Sequence, residues 1–371
     1  MLAHFCHPEL DSGSIQKMDP NSKIYVAGHT GLVGSAILRA LNAHGYKNII
    51  TKEFQDLDLT RQSQVESFFQ ENRPEYVFLA AARVGGIWAN NVQKADFIYD
   101  NLMISANVIS AAHKFGVKKL LNLGSSCIYP KNAPQPLKEE YLLSGSLEPT
   151  NEAYAIAKIS ALKLCRYFNE QYGTNFISVM PTNLYGPNDN FNLETAHVLP
   201  AMIRKFHLAK LLAIKDFVSI RSDFKKLGLS KNYCSNFETL SDSDIQSLLA
   251  KFGITATTLN LWGTGSAYRE FLHVDDLALA LIFLINSYDF KDLGECINIG
   301  VGVDLKISEL AQIIKNTIGF SGEIKFDHAS SDGTPRKLLD VSKISKLGWR
   351  AKMPLNDGIG ETYSWYVAEN Q

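Results

Sequence analysis

Tyr154-Ala-Ile-Ala-Lys158 sets two side chains at a spacing that could move a proton. Residues four apart on a helix share a face, so phenol and ammonium point the same way. A cation there favours phenolate and lowers the phenol pKa from about 10, which predicts a proton donor or acceptor usable near neutral pH. A second group is Gly124-Ser-Ser-Cys-Ile-Tyr-Pro130. If its backbone stays extended, Ser125 and Cys127 face one side, where the hydroxyl could bond a carbonyl and the thiol exchange a proton. A third is Gly28-His-Thr-Gly31-Leu-Val-Gly34, whose glycines permit a tight turn and let helix-start N–H groups approach a pyrophosphate. Each alone has an ordinary structural alternative: two exposed helix residues, a small buried cysteine, a turn without ligand.

The elements that must position these groups follow from patterning. Lys23–Ala27 is a short apolar run, and Leu32–Ala43 carries helical spacing, so the glycine turn joins strand to helix. Strands are expected at Asn48–Thr51, Glu75–Ala81, Lys119–Gly124 and Phe176–Met180, with helices at Ser63–Gln70, Phe97–Phe115 and Asn151–Tyr172. Alternation at this spacing predicts an α/β fold, a Rossmann-type doubly wound parallel sheet. In such a sheet the strand ends carrying Gly124 and Gly28 face the ligand crevice. After Pro181 the rhythm breaks. A helix is expected over His197–Leu212, and residues 213–256 read as a polar insertion, first a surface elaboration and second a segment that reshapes the pocket or an oligomer contact, with Ser241-Asp-Ser-Asp244 a capping box. Beyond it lie a strand at Thr258–Trp262, a helix ending near Ser287, a strand at Glu295–Ile299 and a helix at Ser308–Ile318. We expect a flexible tail over 1–21, a dinucleotide domain over 22–187 recovering segments near 270–300, and a smaller α/β substrate domain over 188–371.

Composition narrows the function classes. The 371 residues carry 37 Lys plus Arg against 38 Asp plus Glu, which removes the electrostatic reason to expect nucleic acid or an anionic membrane as partner. Five scattered cysteines without a C-x-x-C argue against a disulfide framework and a structural zinc. No signal-peptide pattern opens the chain, and Leu277–Ile285 is about half a membrane span, so a cytoplasmic protein is expected.

Together, the glycine turn, Ser125 and Tyr154-x-x-x-Lys158 resemble an extended short-chain dehydrogenase/reductase. Longer stretches narrow this: Ala80–Asn90 (AAARVGGIWAN), Gly124–Pro130, Glu148–Lys158 (EPTNEAYAIAK), Met180–Phe191 (MPTNLYGPNDNF), Trp262–Gly265, Arg269–Asp276 (REFLHVDD) and Asp332–Asp340 (DGTPRKLLD) resemble the GDP-L-fucose synthase family. The resemblance runs from about residue 22 to the C-terminus, except 213–256. It implies a bifunctional 3,5-epimerase and 4-reductase acting on a GDP-4-keto-6-deoxy sugar with NADPH, as a homodimer without metal. It implies catalytic roles for Ser125, Tyr154 and Lys158 in reduction and for Cys127 and His197 in epimerisation. Cofactor contacts fall by the same resemblance on Gly28, His29, Thr30, Gly31, Leu32, Val33, Gly34, Asp58, Leu59, Ala81, Ala82, Leu123, Pro181, Asn183 and Leu184, with Tyr154, Lys158 and His197. Substrate contacts fall on Val84, Gly85, Ser126, Asn183, Lys205, Trp262, Arg269, Asp332 and Lys337.

The chemistry is coherent. A C4 ketone acidifies the hydrogens on C3 and C5, and inversion needs a base on one face and an acid on the other, through an enolate. The hydroxyls that hold that oxyanion also serve reduction of the same carbonyl. Two departures stand out. Basic residues expected near the adenosine 2′-phosphate are replaced by Thr30 and Phe54, and 213–256 enters the substrate domain, which keeps a GDP-4-keto-6-deoxyheptose open as substrate. The rival classes are an NAD-dependent nucleotide-sugar epimerase or dehydratase, and a dinucleotide-binding redox sensor without turnover.

Overall fold

The computed structural model describes residues 17–229, 239–327 and 333–370. Its first half alternates β1 (Ile24–Ala27), α1 (Leu32–Ala43), β2 (Ile49–Ile50), α2 (Gln62–Asn72), β3 (Tyr76–Leu79), α3 (Ile87–Val92), α4 (Lys94–Lys114), β4 (Lys119–Leu123), α5 (Glu152–Tyr172), β5 (Phe176–Pro181) and β6 (Asn183–Tyr185). Then follow α6 (Val198–Ala213), α7 (Phe217–Leu227), α8 (Asp242–Lys251), β7 (Thr258–Trp262), β8 (Tyr268–Arg269), β9 (Phe271–His273), α9 (Val274–Ser287), α10 (Phe290–Leu293) and β10 (Ile297–Ile299). The chain closes with β11 (Leu305–Lys306), α11 (Ile307–Ile318), β12 (Glu323–Asp327), β13 (Arg336–Lys337), α12 (Ser342–Lys346) and α13 (Leu355–Asn370).

Six strands form one parallel sheet in the order β10-β5-β4-β3-β1-β2. Strand residues alternate faces, so Ile24 and Val26 enter a core with α1 and α9, while Tyr25 and Ala27 enter another with α2, α4 and α5. Both faces are covered, which is why the strands read as unbroken apolar runs. The chain is a Rossmann-type doubly wound α/β fold. The order reverses between β1 and β3, and that switch point opens a crevice at their carboxyl ends. The sheet recovers β10 from far along the chain, and α9 packs against α1. Docking begins earlier than residue 22: Met18 is buried, and its N–H donates to Asn286 Oδ1 at 2.8 Å.

The remaining strands make small sheets, β11-β8-β13, β12-β7 and β6-β9, beside a helical core from α6, α7, α8, α11 and α13. The 213–256 segment corrects the surface-elaboration expectation. Ile220, Phe224, Leu229, Ile245, Leu249 and Ile254 are all fully buried in that core. Its high polar content misled because the apolar residues stand at helical intervals among charged ones, an amphipathic pattern that buries one face. Ser241 and Asp244 do form the capping box that opens α8.

Candidate active site

A single cavity of about 1350 Å³ runs from the switch point to the small sheets. Single drug-sized ligands occupy about 300–1,000 Å³, so this one has room for two molecules end to end.

One end is built by backbone. Gly28 has φ +80°, and a Cβ there would stand 2.7 Å from the Ala81 backbone. At Gly34 a Cβ would lie 2.0 Å from the Gly28 carbonyl oxygen, so neither position admits a side chain. The turn is thereby pressed against the strand ends, and Gly31 starts α1 with no side chain capping the helix. The α1 N-terminus thus offers free N–H groups and its dipole to an anion in the cavity. His29 bonds Glu53 through Nε2 at 3.1 Å, while its buried Nδ1 has no partner. An uncapped helix start, a glycine cradle and an orphaned ring nitrogen fit a dinucleotide pyrophosphate. Among the residues after β2, Lys52, Phe54 and Arg61 line the cavity, and Glu53 is held by His29. Asp58 also lines it, its Oδ1 accepting from Thr60 and its Oδ2 3.5 Å from Arg61.

The middle of the cavity carries the proton-moving groups. After β4 the backbone does not stay extended: Ser126–Ile128 is a 3₁₀ turn, and Ser125 Oγ accepts from the Cys127 N–H at 3.3 Å. The turn, rather than strand alternation, brings hydroxyl and thiol to the same wall. On α5, Lys158 donates to the Leu123 carbonyl oxygen at 2.7 Å, and its Nζ lies 5.6 Å from the Tyr154 ring centre. The expected lowering of the phenol pKa is not what this environment does. Burial raises Tyr154, Cys127 adding to it, and burial drops Lys158 to about 8. A protonated Tyr154 is suited to giving a proton. Burial also pushes the Cys127 thiol up, against the nearby positive charges of Lys337 and Lys158. His197 starts α6, exposed to the cavity, and its pKa is depressed by the surrounding protein and by Lys337. Thiol and imidazole are therefore both neutral near pH 7, and both feel the charge of Lys337. The Gly86 N–H donates to the Thr195 carbonyl oxygen at 2.8 Å, tying the turn after β3 to the His197 loop.

The far end is built by charged side chains. Lys205, buried on α6, has its Nζ 5.7 Å from the centre of the Trp262 ring, and burial lowers it to about 8. Among the described residues no carboxylate pairs with it. Lys337 stands beside Arg269 in the β13–β8 register. Trp262 presents an open face, 65% exposed, at an end of the cavity that also carries Lys205, Arg269 and Lys337. This suits an aromatic base and a diphosphate.

Every site residue expected from sequence lines this cavity except Asp332, which lies outside the described residues. The sequence reading missed several. Arg61 carries no motif signal. Asp189 lies within a quoted motif, yet its chemistry needs the fold: burial pushes its carboxyl up to about 7, and Oδ2 has no partner. Glu148 accepts from Lys131 at 2.9 Å and Thr334 at 3.3 Å, fastening the segment before Lys337 to the start of α5.

Comparison with known proteins shows the family. The model of the NAD dependent epimerase/dehydratase family matches residues 24–225 and 222–300. GDP-L-fucose synthase 1 of Arabidopsis thaliana is 50% identical over 349 residues, 94% of each chain. Among solved structures, a GDP-6-OMe-4-keto-L-xylo-heptose reductase from Campylobacter jejuni superposes with a TM-score of 0.88 at 45% identity, over 95% of this chain and 99% of that one. A GDP-D-glycero-L-gluco-heptose synthase from the same organism, in the presence of NADPH, gives 0.85 at 45% identity over 94% and 99%. With half its residues shared over nearly full length, and a cavity whose two ends suit a dinucleotide and a nucleotide sugar, the chain belongs to the NAD dependent epimerase/dehydratase family, in its GDP-L-fucose synthase branch.

Proposed function

We propose that this protein converts a GDP-4-keto-6-deoxy sugar to its 3,5-epimerised, C4-reduced product with NADPH. One observation carries the reading: Ser125, Cys127, Tyr154, Lys158 and His197 line one cavity between an anion-ready helix start and a cationic, tryptophan-bearing far wall. The division of labour proposed is a dinucleotide domain over 22–187 that recovers segments near 270–300, with α9 and β10 among them, and a sugar domain over the rest of 188–371. NADPH, when bound, supplies the hydride for C4. Gly28, Gly31 and Gly34 admit its pyrophosphate, and Lys52 and Arg61 supply cations that Thr30 and Phe54 do not.

Ser125 and Tyr154 donate hydrogen bonds to the C4 oxygen, where charge develops in both reactions. Cys127 and His197 exchange protons at C3 and C5 from opposite faces of the ring. Because both rest neutral, a thiolate base and an imidazolium acid require a proton to pass from Cys127 to His197; the charge of Lys337 favours the thiolate and works against the imidazolium. Tyr154, kept protonated by burial, delivers the proton that completes the alcohol. Lys205, Arg269 and Lys337 hold the GDP diphosphate, and Trp262 stacks or bonds the base.

A second reading changes only the sugar. The enzymes that this chain resembles at 45% identity are named for GDP-heptoses, neither of them a 6-deoxy sugar, which supports a heptose in place of the hexose. A GDP-4-keto-6-deoxyheptose is the form proposed. We also propose a homodimer through α4 and α5, supported by exposed Tyr99, Ile156 and Tyr167, and a cytoplasmic location, supported by free buried Cys127, Cys165 and Cys296. No helix among the described residues is long and apolar enough to cross a membrane.

The test is incubation with GDP-4-keto-6-deoxymannose and NADPH in D₂O, with the product read by NMR. Deuterium at C3 and C5 together with a reduced C4 is expected, and Cys127→Ser should suppress the deuterium. A reduced C4 with hydrogen retained at C3 and C5 would leave a simple reductase. Faster turnover of the heptose substrate would move the assignment to the second reading.

A further inference from the structure

Arg204 is the largest fully buried side chain among the described residues, and it is one residue before Lys205 on α6. All three of its guanidinium nitrogens donate, through four hydrogen bonds. Nε and Nη2 donate to Asp223 Oδ1 at 2.9 and 2.7 Å, Nη1 to the Phe191 carbonyl oxygen at 3.1 Å, and Nη2 also to the Gly228 carbonyl oxygen at 2.5 Å. The other oxygen of Asp223 accepts from the Tyr366 hydroxyl. Four parts of the chain converge on one ion pair: α6, the loop of Phe191, the 213–256 segment and α13.

Stability alone does not explain such a pair. Removing two charges from water costs several kcal/mol per ion, and a well-packed apolar pair of like size is often as stable. Directional bonds do something packing cannot: they fix the rotation and axial position of a helix. Here that helix begins with His197 and carries Lys205, whose ammonium must emerge at the cavity beside Trp262. The Phe191 carbonyl belongs to the loop whose later residues, Leu193 to Ala196, line the cavity up to His197.

We propose that Asp223 is a positioning residue for the nucleotide-sugar end of the cavity. Acting through Arg204, it sets the pose of α6 and hence of Lys205 and His197. The 213–256 segment is thereby part of the substrate machinery without touching substrate. The proposal rests on the GDP-sugar reading above.

The informative variant is Arg204→Met with Asp223→Leu, which replaces the pair by apolar side chains of similar reach. NADP⁺ affinity should stay near wild type, while the melting temperature falls, because the Phe191 and Gly228 carbonyls and the Tyr366 hydroxyl lose their partners in the pair. GDP affinity, measured calorimetrically, should weaken about tenfold, and KM for the GDP-sugar should rise more than kcat falls. A folded double variant with unchanged GDP affinity overturns the proposal. Should the double variant not fold, Tyr366→Phe keeps both charges and removes only the hydroxyl on Asp223. It should weaken GDP binding about twofold to threefold with NADP⁺ binding intact, and no change in GDP affinity overturns the proposal equally. Wild-type protein that failed to bind GDP at all would instead sink the substrate reading, so the two failures are distinguishable.

Discussion

The two ends of the cavity are made of different materials. The dinucleotide end is backbone: glycines without room for a Cβ, an uncapped helix start, the mouth of two strands. The sugar end is side chains, with His197, Lys205, Trp262, Arg269 and Lys337 drawn from four separate stretches and set at their places by packing behind them. A backbone site is local, because the residues that shape it are the residues that bind. A side-chain site is only as accurate as the core beneath it, so changes far from ligand should reach the sugar end and leave the dinucleotide end untouched.

The largest effect tests the seam between the two. Tyr154→Phe removes the hydroxyl from a residue half-buried at the cavity wall. C4 reduction, followed as NADPH oxidation, should fall by about 10²–10⁴-fold. Deuterium exchange into the 4-keto sugar should stay measurable, because Cys127 and His197 remain. Dinucleotide affinity should hold, since the glycine cradle is unaltered. Loss of that affinity would undo the division between the ends and the role of Tyr154 with it.

The same contrast explains what sequence revealed. β1, α1 and the glycine turn are contiguous, so Gly28, Gly31 and Gly34 announce their geometry by spacing alone. The Tyr154–Lys158 pair lies on one helix and was equally legible, but its electrostatics were not. Burial is a property of everything around α5, and it reverses the shift that an isolated Lys–Tyr pair implies. The spacing of Ser125 and Cys127 implies a shared face on an extended strand, but it is a 3₁₀ turn that brings them to one wall. Lys205, Lys337 and His197 emerged only through resemblance to a known family, since no periodicity links residues so far apart. Polar runs conceal amphipathic helices, so α7 and α8 looked like ornament while their apolar faces complete a core. Arg204 and Asp223 are 19 residues apart and carried no signal as a pair.

An intermediate effect sharpens the comparison at its weakest point. If the dinucleotide end were backbone alone, it could not distinguish NADPH from NADH, because the extra 2′-phosphate needs cations. Lys52 and Arg61 line the cavity where Thr30 and Phe54 bring no charge, and Glu53, which would repel a phosphate, is occupied by His29. Arg61 is largely exposed, its nearest carboxylate 3.5 Å away on Asp58, so its contribution is modest and screened by salt. Lys52→Ala with Arg61→Ala should narrow the preference for NADP⁺ over NAD⁺ about tenfold, read as the ratio of dissociation constants, with NAD⁺ affinity little changed. An unaltered ratio would return specificity to other residues.

The smallest effect lies at the opposite end and depends on pH. Burial holds the Lys205 ammonium at about 8, with no carboxylate beside it among the described residues. It is charged below that value and attracts a diphosphate, and the attraction is lost as pH rises through 8. If only the charged form binds, GDP affinity should fall about fourfold between pH 7 and 8.5, and binding should take up protons in that range. Lys205→Arg keeps its charge throughout, because guanidinium does not titrate there, so the slope should flatten even where the planar fork fits the diphosphate less well or better than the lysine did. A wild-type affinity independent of pH over this interval would mean that Lys205 does not face the diphosphate, and the buried cation behind Trp262 would then be a structural feature of α6 rather than part of the sugar end.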